Sequence, residues 1–70
     1  MGSYFLIVGT YLLEAETHIG YGIGYRSRDQ VICFEDLTTD LPSITDLISL
    51  CNKLKLAPIH LEDVVEDFIA

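Results

Sequence analysis

An α+β fold is predicted: a three-stranded antiparallel β-meander followed by two α-helices packed on one face of the sheet (βββαα). Three observations carry the prediction. In the first half of the chain the clearest pattern is a period of two, as in a strand. Near Thr38 to Asp40 the apolar spacing changes to the i, i+3, i+4, i+7 rule of an amphipathic helix. Finally, 70 residues leave room for one core, so residues 1–70 read as a single domain.

The first strand is expected over Tyr4 to Leu13, a run rich in β-branched and aromatic residues and apolar on both faces. Glu14-Ala15-Glu16 is a break of hairpin length. In the second strand, Thr17 to Arg26, the side chains of Ile19, Tyr21, Ile23 and Tyr25 point one way and Gly20, Gly22 and Gly24 the other. A polar turn at Arg26 to Asp29 leads to a third strand, Gln30 to Leu37, and the short connections place the second strand in the middle.

Ile44, Leu47, Ile48, Cys51 and Leu54 then mark the first helix. Asp40 or Ser43 is expected to cap it, Ser43 through a Ser-x-x-Asp box with Asp46, and Lys53 and Lys55 close it. After Pro58, Leu61, Val64, Val65, Phe68 and Ile69 form the stripe of a second helix whose other side carries Glu62, Asp63, Glu66 and Asp67. Burying that stripe does not outweigh the entropy of ordering the helix, so the helix must dock on the sheet.

Composition narrows the function. Half the residues are apolar, as a folded chain requires. Eleven acidic residues against four basic ones give a net charge of −7, which argues against direct nucleic-acid binding and against anionic membranes and favours basic protein surfaces as partners. The apolar run from Phe5 to Leu13 is too short to span a bilayer and lacks the basic leader of a signal peptide, and Leu6 replaces the Ser or Thr of a myristoylation pattern. Cys33 and Cys51 sit in apolar stretches as small hydrophobes, and two buried thiols suit a reducing, cytoplasmic setting.

Candidate chemistry is sparse. The Gly20-Tyr21-Gly22-Ile23-Gly24 run lies within a strand, whereas a nucleotide loop needs a helix to follow; alternating strand glycines instead imply close approach, and a tightly packed helix is expected on that face. His18 and His60 lack the helical spacing of a zinc site, and with Cys33 and Cys51 they match no finger or knuckle, so no metal or cofactor is expected. The acids of the last helix share an exposed side, and a chain of this length has little room for a pocket of about 300 Å³ or more, so no catalytic residue is assigned.

At Tyr21-Gly22-Ile23 and His60-Leu61-Glu62-Asp63-Val64-Val65-Glu66-Asp67-Phe68-Ile69, the chain resembles a small family of uncharacterised proteins from Firmicutes, especially clostridia. The resemblance runs from the first strand to the C-terminus. It implies a bacterial cytoplasmic or prophage setting and supplies no catalytic or ligand residues.

The expected function is a small protein-interaction module without catalytic activity, acting as a homodimer or as an accessory or regulatory subunit. Two helices cannot cover both apolar faces of the first strand. Phe5, Ile7 and Tyr11, or alternatively Tyr4, Leu6 and Val8, should stay partly open as the contact, with Tyr21 and Tyr25 as further partner-binding candidates. The alternative is a phage-type acidic inhibitor of a nucleic-acid-binding protein, acting through Glu62, Asp63, Glu66 and Asp67.

Overall fold

A long hairpin frames the computed structural model, which describes residues 2–70. Strands β1 (Ser3–Leu13) and β2 (Glu16–Arg26) pair antiparallel in unbroken register from Ser3↔Arg26 to Leu13↔Glu16. Their connection is two residues long, Glu14 and Ala15, with φ of 52° and 66°. Positive φ at both positions follows the right-handed twist of the strands, although neither residue is the glycine or asparagine that usually accepts it.

Strand β3 (Val31–Thr38) lies on the other side of β2, giving the order β1-β2-β3. The turn into it is closed by the Ser27 N–H donating to the Gln30 carbonyl at 2.9 Å. Pairing is regular from Arg26↔Val31 to Ile23↔Phe34, then jumps to Tyr21↔Thr38. β3 thus spends four steps where β2 spends two, and the excess forms a bulge at Glu35 and Asp36, the latter with φ 54°. The Phe34 carbonyl oxygen rests where a Cβ on Gly22 would stand, so this position tolerates no side chain.

The register sorts the side chains. Tyr4, Leu6 and Val8 lie opposite Tyr25, Ile23 and Tyr21 on one face; Phe5, Ile7, Gly9 and Tyr11 lie opposite Gly24, Gly22, Gly20 and His18 on the other. Helices α1 (Leu41–Leu54) and α2 (Leu61–Ile69), the second preceded by a 3-10 turn at Pro58–His60, pack on the tyrosine face. The core joins Tyr4, Ile23 and Tyr25 from the sheet to Ile44 and Cys51 from α1 and Leu61 and Val65 from α2. Ile23, Ile44 and Leu61 are wholly buried, each worth about 1.5–3 kcal/mol.

Several local expectations are corrected. Among the described residues no helix covers the glycine face; the Phe5 ring fills the space over Gly24, and the Tyr11 ring and the Asp36 carboxylate fill that over Gly20. Leu54 and Ile69 belong by spacing to the helix stripes but are exposed, because each lies at the end of its helix. α1 starts at Leu41, which puts Ser43 inside the first turn. No Ser43–Asp46 box forms, and the Ser43 hydroxyl donates to the Asp40 carboxylate.

At its C-terminus α1 ends in a Schellman motif. The Leu56 N–H donates to the Cys51 carbonyl at 3.0 Å and the Lys55 N–H to the Asn52 carbonyl at 3.2 Å, with Lys55 left-handed at φ 52°. From this turn Asn52 reaches the sheet edge. Its Oδ1 accepts from the Tyr4 N–H at 2.8 Å and its Nδ2 donates to the Tyr4 carbonyl at 3.0 Å. One amide side chain thereby does for Tyr4 what a neighbouring strand would do. The Tyr4 hydroxyl donates to the Leu56 carbonyl at 2.6 Å and locks the same junction.

Candidate interaction surface

The face without helices holds Phe5, Ile7 and Tyr11, all half-buried, with the Phe5 ring over Gly24 and the Tyr11 ring over Gly9 and Gly20. The Arg26 guanidinium stands 5.5 Å from the Phe5 ring centroid, a cation–π distance. By register Val31 and Cys33 of β3 share this face, and both are exposed. The result is a shallow apolar floor with its aromatic rings laid flat, open to solvent.

One end of that floor is polar. The Tyr11 hydroxyl donates to Glu35 Oε1 at 3.1 Å, and His18 Nε2 and Asp36 Oδ1 are 3.2 Å apart, with the Tyr11 and His18 rings 5.7 Å between centroids. Desolvation, then the bond to the Glu35 carboxylate, pushes the Tyr11 phenol above its ordinary value. The bulge carries Glu35 and Asp36 across the sheet to meet residues of the hairpin. Sequence reasoning missed this cluster; the available signal was an acidic pair interrupting an apolar strand opposite glycines, which is how a bulge reads.

The other predicted residues are dispersed. Tyr25 is buried under the helices and Tyr21 is half-buried against the core, which removes both from an open-face contact. Glu62, Asp63, Glu66 and Asp67 are all exposed on α2. His60 is exposed in the 3-10 turn, and the hollow of about 360 Å³ that His18 borders does not include it. Contrary to the expectation of two buried thiols, Cys33 is exposed on the open face, and only Cys51, on the inward side of α1 across the sheet, is buried; burial pushes the Cys51 thiol up. Among the described residues no three of His, Cys, Asp and Glu gather as a metal site requires. Contrary to the size argument, a larger hollow of about 480 Å³ opens where Tyr4, Tyr25 and Asn52 meet the Lys55–Pro58 loop.

A second apolar surface lies on the hairpin itself. Pairing with β3 stops at Tyr21↔Thr38, so the hairpin continues beyond it as a two-stranded arm. On the helix side, Val8 at the root of this arm is 60% exposed, and along the arm Ile19 is 54% and Leu12 71% exposed.

The model of a Family of unknown function (DUF6514) matches residues 3–70. The chain belongs to that family. No curated protein and no solved structure matches it. The DUF6514 span takes in every element from β1 to α2, so the open floor, the polar cluster and the acidic helix all lie within it. Among its described residues no helix is long and apolar enough to cross a membrane.

Proposed function

We propose that this DUF6514 chain is a small, non-catalytic protein-interaction module of the bacterial cytoplasm, a homodimer or an accessory subunit, whose contact includes the open sheet face. The main support is that both helices sit on the tyrosine face, leaving Phe5, Ile7 and Tyr11 on a bare one. A flat apolar floor with a polar end suits a protein surface that buries the floor and hydrogen-bonds the end. Capture from host extract by the immobilised chain, with Phe5→Ser and Ile7→Lys alongside, is the test. A specific partner held by the wild type and weakened at least tenfold in both folded variants is expected; equal capture by all three, or no capture by a wild type that is also strictly monomeric, rejects the reading.

The alternative, a phage-type acidic inhibitor, draws on the four exposed acids of α2, a helix with no Lys or Arg. Changing Glu62, Asp63, Glu66 and Asp67 to Lys should abolish binding to a basic nucleic-acid-binding protein. A complex that survived this change at about 150 mM salt would eliminate the inhibitor reading.

A further inference from the structure

The exposed edge of the sheet, rather than its face, has the symmetry needed for self-association. In an antiparallel pair the N–H and C=O of a residue point together, inward or outward, and alternate along the strand. Both backbone groups of Tyr4 are bonded to Asn52 across the outer side of β1, and the β1–β2 register is unbroken, so Leu6, Val8, Thr10 and Leu12 also turn theirs outward. The two-residue turn independently supports this, because it makes Leu13↔Glu16 an inward, hydrogen-bonded pair. Among the described residues no strand lies beyond β1.

Natural edge strands are usually defended by charge, proline or a bulge. β1 has no bulge in its pairing with β2, and Ser3–Leu13 contains no charged residue and no proline, although the chain carries a net charge of −7. Among the described residues the one blunting device is Asn52, and it covers Tyr4 alone.

We infer that β1 pairs antiparallel with β1 of a second copy about a twofold axis at Gly9, joining two three-stranded sheets into one of six strands. This deepens the homodimer form of the proposed module and places its contact at the edge. Centring on Gly9 matches Leu6 with Leu12 and Val8 with Thr10 in both directions. All four outward positions of each copy are then used, with about eight N–H···O bonds formed. The position opposite Tyr4 becomes Glu14 of the second copy, where its strand has ended, so Asn52 caps the edge where pairing stops. That glutamate arrives where Lys55 borders the same hollow as Tyr4 and Asn52, which puts opposite charges together across the axis. No carboxylate of either β1 faces another, so the acidic chain meets itself along its one neutral strand. The exposed Leu6, Val8 and Leu12 gain cross-strand neighbours.

Sedimentation equilibrium of the full chain from about 10 µM to about 1 mM tests the inference. A mass twice the 7.9 kDa of one chain is expected. Val8→Pro removes an outward donor that the monomer does not use, and should give a monomer with an unchanged circular dichroism spectrum. A charge pair keeps the test decisive if proline disturbs folding. Val8→Lys with Thr10→Lys sets lysine against lysine and should dissociate the dimer, whereas Val8→Lys with Thr10→Glu sets lysine against glutamate and should dimerise at least tenfold more tightly than the double lysine variant. A wild type monomeric throughout, or indifference to both double variants, overturns the inference. A dimer dissociated by Ile7→Lys but by none of the edge variants also overturns it, while upholding the open face as the contact.

Discussion

A methyl group at Gly22 would occupy the place of the Phe34 carbonyl oxygen, and that oxygen belongs to backbone held by the β2–β3 pairing. At Gly24 the obstacle is the Phe5 ring, which can swing away. The two glycines should therefore respond differently to alanine: Gly22→Ala is expected to cost about 2–4 kcal/mol and Gly24→Ala about 1 kcal/mol, read from urea midpoints. Equal losses would mean that strand entropy, not contact, governs both. The same residues mark how far the candidate site could be read in advance. Alternation placed Phe5, Ile7 and Tyr11 together, because it needs only the next residue but one. It could not decide which face the helices choose, since β1 is apolar on both, and so Tyr21 and Tyr25 were included in the contact. The grouping of Tyr11, His18, Glu35 and Asp36 depends on two extra residues in β3, which no periodicity encodes.

Among the elements, the hairpin turn holds the clearest unrelieved conformational cost. Glu14 and Ala15 both take positive φ with a Cβ in the way, and no side-chain hydrogen bond within the described residues compensates. Glu14→Asn with Ala15→Gly should stabilise the protein by about 1 kcal/mol, raising the thermal midpoint by about 4–8 °C without changing the register. A lower midpoint would show that the unfolded chain gains more freedom from the added glycine than the turn loses in strain. Order and type of the three strands and two helices were legible because each is long enough to display its period; their ends were not. The α1 start moved to Leu41 because Asp40 adopts an extended conformation, and its stop rests on Lys55 in a conformation usually reserved for glycine. Sequence shows lysine there as a charge for the helix dipole, not as a left-handed residue.

For the molecule as a whole, alkaline pH is the informative variable. Burial, followed by the nearby Cys51 and Tyr25, raises the Tyr4 phenol; desolvation, followed by Glu35 and Asp36, raises that of Tyr11; burial raises the Cys51 thiol. In each case the folded state holds its proton more tightly than the unfolded chain does. The associated stability is fully present below the unfolded values and is lost as pH rises through the folded ones, so the urea midpoint should fall above about pH 9. Tyr4→Phe should lower stability at neutral pH, by losing the bond to Leu56, and should flatten the alkaline decline. An alkaline decline as steep as that of the wild type would remove Tyr4 as a cause.

The Asn52 bridge to Tyr4 also bears on how the chain is made. Its two partners are separated by 48 positions, so at about 5–20 residues per second the ribosome adds Asn52 about 2–10 s after Tyr4. Until Asn52 has been added and has left the exit tunnel, β1 stands outside the ribosome with its outer edge bare along its full length. A polysome translating this protein is thus the place where unguarded β1 strands would first find each other, and where a chaperone would have the most to shield.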